Sequence, residues 1–465
     1  MNKFKYTKWL LPVFAAAMGV SMVSCDDEPD KFELTDGTPS VHYVRMTSAP
    51  DSLVTEAYVD NLICLVGDNL TSIREMYFND QKAVLNTSYI TDHTLLVNIP
   101  RGIPEVETNK IYMYNKDGVK TEYDFRVLVP GPSLLSLSFE YAKPGDEVTL
   151  HGNYFVDDPN KPLAIMFPGD IPVTEIKSIE QTAVTFVIPE GATEEGEIEL
   201  TTRYGSGTSK FHYLDTRGTL FNFDEGLQQQ GWHARDIITD DWSFAGNYLQ
   251  LGNGDAIMSE DGGWDDSNFS FEYWAGSWDT PQNITSGQGA ALYNVADFSK
   301  PEKMALKFEM CIPSTNPWAA GAMQVCFQGF DKISISGNPI TGFVGAVPPA
   351  QAWAFNGEVG GGVSDEAAKK EFESRESDWT DWGRYLYRPW QNAEKGEYHT
   401  DGKWITVTLP ISQFRYTAKG TGAGKTPSKR EDFASLTMFV VSGGVNGKEC
   451  QPIIKIDNIR AVINE

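Results

Sequence analysis

Two stretches of about 85 residues carry the same punctuation, and they limit the first half of the chain to one kind of structure. The first reads Leu65-Val66-Gly67-Asp68-Asn69-Leu70, then Met76-Tyr77-Phe78-Asn79-Asp80, then Leu95-Leu96-Val97-Asn98-Ile99-Pro100. The second reads Leu150-His151-Gly152-Asn153-Tyr154-Phe155, then Ile165-Met166-Phe167-Pro168-Gly169, then Val184-Thr185-Phe186-Val187-Ile188-Pro189. Each closes on an aromatic alternation, Tyr123 and Phe125 in one, Phe211 and Tyr213 in the other. Short β-rich runs separated by turn residues cannot be drawn as helices. They predict two immunoglobulin-like sandwiches in tandem. Pro39 and Pro130-Gly131-Pro132 punctuate the chain and stiffen its junctions.

Tryptophan divides the rest. Of twelve, Trp9 lies in the N-terminal segment and the other eleven lie between Trp232 and Trp404. Near residue 217 the composition shifts toward Gly, Asn, Asp and Trp, opening on Leu220-Phe221-Asn222-Phe223-Asp224-Glu225. Strand-like runs follow at Met304 to Ile312, Ala322 to Phe327, Trp404 to Leu409 and Leu436 to Val441. The chain closes on an alternating run from Ile453 to Val462. This pattern predicts a larger jelly-roll β-sandwich with long loops, the longest from Gly337 to Gly402. Within that loop Asp365 to Glu376 is the one helix-like stretch of note, short and highly charged. The expected fold is therefore all-β. Its segments are a leader over 1–24, an acidic tether over 25–39, sandwiches over 40–129 and 130–216, and a jelly roll over 217–465.

Residues 1–24 read as an export signal, with Lys3, Lys5 and Lys8 before an apolar run too short to span a bilayer comfortably. Met22-Val23-Ser24-Cys25 resembles a lipoprotein cleavage site, which makes Cys25 the expected lipidated residue. The acidic Asp26-Asp27-Glu28-Pro29-Asp30 is similar to the surface-export signal of Bacteroidetes lipoproteins. The formal charge is −26; removing the leader takes away three lysines and no acids, giving −29. Such a chain excludes a nucleic-acid partner, which needs a basic face, and favours a neutral ligand. Cys64, Cys311, Cys326 and Cys450 show no metal-type spacing and read as buried thiols.

The Gly67-Asp68-Asn69-Leu70 and Gly152-Asn153-Tyr154-Phe155 turns and the strands ending in Ile-Pro resemble those of TIG domains, the second unit more closely than the first; both units read as spacers here because their aromatics sit at core spacing. The Phe-Asn-Phe-Asp-Glu opening, the Ile-Asp-Asn-Ile-Arg close, Asn316-Pro317-Trp318, and Tyr387-Arg388-Pro389-Trp390-Gln391-Asn392 are similar to motifs of another family. That family comprises the cell-surface glycan-binding proteins of Bacteroidetes polysaccharide-utilisation loci, above all its xyloglucan- and β-glucan-binding members. The resemblance covers nearly the whole mature chain, through the order of its parts more than any one motif. It implies a non-catalytic lipoprotein on the outer-membrane surface. Such a protein would capture a neutral plant polysaccharide (β-glucan, xyloglucan or β-mannan) and pass it to a TonB-dependent transporter and its partner lipoprotein.

An aromatic ring can cover the C–H face of a pyranose while polar groups engage its hydroxyl rim. One stacked face hides ~60 Å², worth about 1.5 kcal/mol. Two or three such platforms with hydrogen bonds, less ordering costs, give roughly 4–8 kcal/mol, or mM to μM affinity. The resemblance singles out Trp318 and Trp353 as platform residues. Of Trp379, Trp382, Tyr385 and Trp390, beside Arg384 and Arg388, at least one is expected to extend it, while others pack the loop. Trp404 reads as core, Trp232, Trp242 and Trp264 as packing, and Trp274 and Trp278 as either. No cofactor is expected. Asp224, Glu225 and Asp457 are candidate structural Ca²⁺ ligands by the same resemblance, and as plain residues they are turn and strand-end carboxylates.

A surface glycoside hydrolase of the β-sandwich class and a structural adhesin are the rival readings. Glu28-Pro29-Asp30-Lys31-Phe32-Glu33 fits one glycosidase pattern but lies in the tether, and no nucleophile elbow, His-Glu-x-x-His pair or P-loop occurs. Isolated carboxylates such as Glu272 and Glu358 leave a pair in space open.

Overall fold

The computed structural model describes residue 32 and residues 35–231, 234–265, 267–276, 283–329, 353–355, 358–360, 382–417 and 424–464. The leader, Cys25, the acidic stretch after it, Trp232, Trp278, Trp379 and the charged run Asp365 to Glu376 lie outside the described residues. The protein is all-β, and it divides into two compact units at Pro130/Gly131.

The first unit is a sandwich. One sheet pairs Ala49–Val54, Ser40–Met46, Leu62–Asp68 and Thr94–Asn98, and the other pairs Gln81–Lys82, Glu75–Phe78, Lys110–Tyr114 and Lys120–Asp124. Val44, Ile63, Leu65, Met76, Phe78, Leu95, Ile111 and Met113 fill the space between. The second unit begins with a sandwich built the same way. Ser133–Leu137, Glu147–Asn153, Ala183–Val187 and Ile176–Glu180 form one sheet. Ile171–Pro172, Ala164–Phe167, Glu199–Thr202 and Gly205–Thr208 form the other.

The repeated motif has a physical cause. A Cβ on Gly67 would lie 1.9 Å from the Ser40 carbonyl oxygen, and one on Gly152 would lie 2.1 Å from that of Ser133. Both glycines are held by the same bulged strand pairing, shifted between Val41 and Tyr43 in one sandwich and between Leu134 and Ser136 in the other. Two residues on, Asn69 (φ 56) and Tyr154 (φ 59) turn into the left-handed region. Asparagine tolerates that conformation better than tyrosine does. Tyr213, fully buried, sets its hydroxyl 2.7 Å from the Ala142 carbonyl and 3.1 Å from that of Ala192, and burial pushes its phenol up to about 12.

The jelly roll is two sheets face to face. A six-stranded sheet runs Asp236–Ile238, Tyr248–Leu251, Ile454–Ile463, Met304–Cys311, Ile405–Pro410, with Thr219–Phe221 pairing Ile454–Ile463 off that path. A four-stranded sheet runs Ser270–Tyr273, Ser435–Val441, Ala322–Gln328, Arg384–Tyr387. Alternation sends Leu306, Phe308, Met310, Met323, Val325, Phe327, Met438 and Val440 into one shared core. Cys311 and Cys326 lie in opposite sheets as buried thiols.

The residues pointing away from that core on the six-stranded sheet meet the second sandwich. Glu140 is wholly buried, with Lys307 Nζ 2.7 Å from one carboxylate oxygen and Arg460 Nη2 2.6 Å from the other. Arg460 Nη1 lies 2.8 Å from Glu309 Oε1. Thr406 links the two acids: its hydroxyl donates to Glu309 (2.6 Å) and accepts from the Glu140 amide (2.8 Å). Its own amide donates to the Ser138 carbonyl at 2.9 Å. Phe139 and Tyr141 pack on Phe244, which in turn meets Trp404. Two acids and two bases thus cancel inside the molecule. The second sandwich is consequently built into the jelly roll and not merely strung before it.

Two consequences can be measured. Glu140→Ala leaves two buried cations short of their shared partner, so denaturant unfolding of the second unit should show a loss of ~3–5 kcal/mol. Asp457, one residue from a bulge on the same outer face, is 1 % exposed. Burial, with Asp224 and Glu309 nearby, raises its carboxyl to about 8 from 3.8. Because the folded state holds this proton more tightly than the unfolded chain, its stabilising share is whole below about pH 4. It is then lost as pH rises toward 8. Glu309, raised to about 7 by burial, pushes the same way. Melting temperatures measured between pH 5 and 8.5 should fall, and Asp457→Asn should flatten that slope.

Candidate functional site

With one outer face of the jelly roll spent on docking, the outward face of the four-stranded sheet remains. Register places Glu272, Thr437, Cys326 and Arg384 in one row across it, and Ser270, Phe439, Gln324 and Leu386 in the next. Sheet faces that meet water carry lysine and glutamate, and faces that meet a core carry aliphatics. This one carries an acid, amides, hydroxyls and a guanidinium, nearly all buried: Gln324 and Thr437 are 0 % exposed and Arg384 2 %. Polar groups at such depth must be hydrogen-bonded. Arg384 Nη1 donates to Gln324 Oε1 at 3.0 Å, and the Gln324 amide nitrogen donates to the Ser442 carbonyl. Gln328 Nε2 donates to Thr437 Oγ1 at 3.3 Å, while its Oε1 has no partner among the described residues. That carbonyl oxygen is a buried acceptor left unused beneath the polar face.

Trp264 lies at the margin of this face. Its ring sits 5.7 Å from that of outward-facing Phe439, and it is 37 % exposed. The loop carrying it is tied to the sheet edge by the Ser442 amide, which donates to the Gly263 carbonyl at 2.9 Å. Gly262 (φ 83) and Gly321 approach so closely there that a Cβ on Gly262 would lie 2.6 Å from the Gly321 Cα.

The sequence-derived platform is largely relocated. Trp318 is fully buried, donates its indole N–H to the Ala320 carbonyl at 2.6 Å and packs against Tyr387. Trp390, in the Pro389–Asn392 turn, donates to the Gly321 carbonyl at 2.7 Å from inside the same core. Tyr385 faces the core and meets Phe414 edge-on, with ring centroids 5.7 Å apart. Trp382 is 1 % exposed, under the Lys425 ammonium. These four are corrected to packing residues, because their backbone places them on core-directed positions or seals them from solvent. Trp353 opens the short strand Trp353–Phe355, paired with Glu358–Gly360. Trp379 lies outside the described residues. Trp274 is buried, and Trp404, 9 % exposed, packs on Tyr248 and Phe244 as a core residue does. Trp264 and Trp242, read from sequence as packing, are the two half-exposed tryptophans among the described residues. Trp242 lies on the docked side, beside Lys455. The signal that was available for the face itself is the Gln-x-Cys-x-Gln alternation from Gln324 to Gln328, opposite Met323, Val325 and Phe327.

The carboxylates proposed for Ca²⁺ do not form one coordination sphere. Asp224 accepts from the Asn247 amide at 2.8 Å, Asp457 from the Asn458 amide at 2.7 Å, and Glu225 lines a separate cleft with Asn222, Thr285 and Asn294. The group of three metal-type side chains found together among the described residues is Glu195, His212 and Asp215, where Asp215 is already held by Arg217 through two bonds of 2.8 and 2.9 Å.

The jelly roll thus docks by one outer face and carries amides, a guanidinium and an edge tryptophan on the other, which is the candidate site. Residues 213–463 match the family described as the surface glycan-binding protein B xyloglucan binding domain. That is more than half of the chain, and the protein belongs to this family of non-catalytic glycan-binding proteins. The crystal structure of the surface glycan-binding protein PbSGBP-B from Prevotella bryantii is 42% identical, covering 93% of this chain and 100% of that one, with a TM-score of 0.67. An IPT/TIG domain-containing protein from Bacteroides ovatus is 27% identical over 210 residues, 41% of this chain. The chain thus spans about two fifths (42%) of the length of that curated relative.

Replacing the two kinds of tryptophan should separate their roles. Trp318→Ala opens a cavity in the core and should cost ~3–5 kcal/mol in a denaturant titration. Trp264→Ala, at a half-exposed margin, should leave the unfolding midpoint within about 0.5 kcal/mol of the parent.

Proposed function

We propose that the protein is a surface lipoprotein, anchored through Cys25, that binds a neutral plant polysaccharide on the outward face of the four-stranded sheet. Xyloglucan and other β-glucans are the first ligands to consider, with β-mannan behind them. The single observation that carries the reading is the pair of neighbouring outward rows that hold Arg384 and Thr437, then Gln324 and Phe439, with half-exposed Trp264 packed on Phe439: fixed polar groups beneath a ring that can cover a sugar face. Trp353 and Trp379 are the remaining platform residues in this reading, and Trp318, Trp382, Tyr385 and Trp390 hold the framework beneath it. The net charge of −26 agrees with a neutral glycan and opposes an anionic one. The chain would retain the polysaccharide at the cell surface for a TonB-dependent transporter and its partner lipoprotein, with mM to μM affinity fast enough to release.

Affinity gels loaded with xyloglucan, mixed-linkage β-glucan, β-mannan and an anionic control test this directly. Retardation in at least one neutral gel is expected, with no reducing sugar released on incubation. Trp264→Ala and Trp353→Ala should each weaken retention at least tenfold while the fold is kept. Reducing-sugar release would favour a hydrolase, and no retardation in any gel would leave an adhesin.

A further inference from the structure

The first sandwich carries no tryptophan, yet its outward face is not an ordinary solvated sheet. In the sheet of Glu75–Phe78, Lys110–Tyr114 and Lys120–Asp124, the core takes Met76, Phe78, Ile111 and Met113. The opposite face presents Tyr77, Tyr112 and Tyr114. Tyr77 stands directly across from Tyr112, and the Tyr77 and Tyr114 rings meet edge-on with centroids 5.9 Å apart. All three are half-buried, and together with Asn79, Asp80, Thr108 and Lys120 they line a cleft of about 400 Å³.

One wall of the cleft is fixed in advance. Asn79 Oδ1 accepts from the amides of Thr108 (3.0 Å) and Asn109 (2.8 Å). Asp80 Oδ2 accepts from those of Glu105 (2.9 Å) and Val106 (3.1 Å). The charges around the tyrosines cancel in pairs: Lys82 with Glu75 at 2.7 Å, Lys110 with Asp124 at 2.8 Å, Lys120 with Glu122 at 2.8 Å. The centre is therefore aromatic, with its lysines paired and the Asp80 carboxylate on one wall held by backbone amides; no hydrogen bond to the Tyr112 or Tyr114 hydroxyl is found among the described residues, and the Lys120 ammonium lies 3.9 Å from the Tyr112 ring centroid.

Aromatic faces with hydroxyls and fixed polar groups at the rim are the chemistry that recognises a neutral sugar ring. We infer that this tyrosine cleft is a second contact site for the same neutral polysaccharide, an inference that rests on the function proposed above. The ring of Tyr114 and the edge of Tyr77 cover a pyranose face, and Lys120 swings from Tyr112 to donate to a ring hydroxyl. For a glycan long enough to reach both sites, this cleft would be an intramolecular contact, so that even a weak site would add to retention.

Hydroxyl-radical footprinting of the full chain, read by mass spectrometry with and without soluble xyloglucan or mixed-linkage β-glucan, tests the inference. Dextran serves as the scavenging control. Oxidation of Tyr77, Tyr112 and Tyr114 should fall at least twofold in parallel with that of Trp264. Protection of Trp264 with unprotected tyrosines would overturn the second site and leave the proposed function standing. Protection of neither would overturn both. In gels, Tyr112→Thr/Tyr114→Thr, which keeps strand-forming side chains, should reduce retention of the full chain about threefold at an unchanged melting temperature. Unchanged retention would overturn the inference, and if the variant does not fold, the wild-type footprint decides.

Discussion

Four charges buried between the second sandwich and the jelly roll set the rest of the second unit. Glu140 arrives from one sandwich; Lys307, Glu309 and Arg460 arrive from two neighbouring strands of the other. An ion taken out of water is costly, and the cost is met here only because each carboxylate faces a cation and Thr406 fills the remaining bonds. Such a set tolerates one register. A slip of one residue in Met304–Cys311 would turn Lys307 and Glu309 into the core and Phe308 outward. The cluster therefore fixes strand register, the docking face and the relation of the two sandwiches together.

The proposed binding face follows from that choice by elimination and then by chemistry. A two-sheet sandwich has two outer faces, and the six-stranded sheet has given its own to docking. The four-stranded sheet keeps a polar face whose side chains are held by one another, with Arg384 on Gln324 and Gln328 on Thr437. Side chains locked before a ligand arrives lose little freedom on binding, which is how a shallow protein surface can grip a hydrated sugar. Below that face the buried tryptophans Trp318 and Trp390 spend their indole N–H groups on backbone carbonyls and hold the loops that carry the exposed residues.

Much of the architecture was legible in the chain. The paired Gly-x-Asn and Gly-x-Tyr turns mark two sandwiches because a carbonyl oxygen lies about 2 Å from where a Cβ would sit. The strand runs at Met304–Cys311, Ala322–Gln328 and Ser435–Val441 match their sequence readings to within a residue or so. The platform was less legible. Trp318 lies in a Pro-containing loop of the kind that often presents a ring to solvent, but the loop folds inward and pairs with Tyr398. Trp264 gave no local sign, since its exposure depends on where the Gly262–Gly321 contact sets its loop.

By itself the sequence determined that the protein is all-β, built from two like sandwiches and a tryptophan-rich jelly roll, acidic and suited to a neutral ligand. These properties depend on alternation, turn chemistry and charge, all of which act over a few residues. Only the tertiary structure decided which tryptophans see solvent, that Glu140 reaches Arg460 across 320 positions of chain, and that three tyrosines from two strands gather on one face of the first sandwich. Burial and long-range pairing are properties of packed surfaces, and a ring at a given position is core or platform according to what the rest of the chain lays over it.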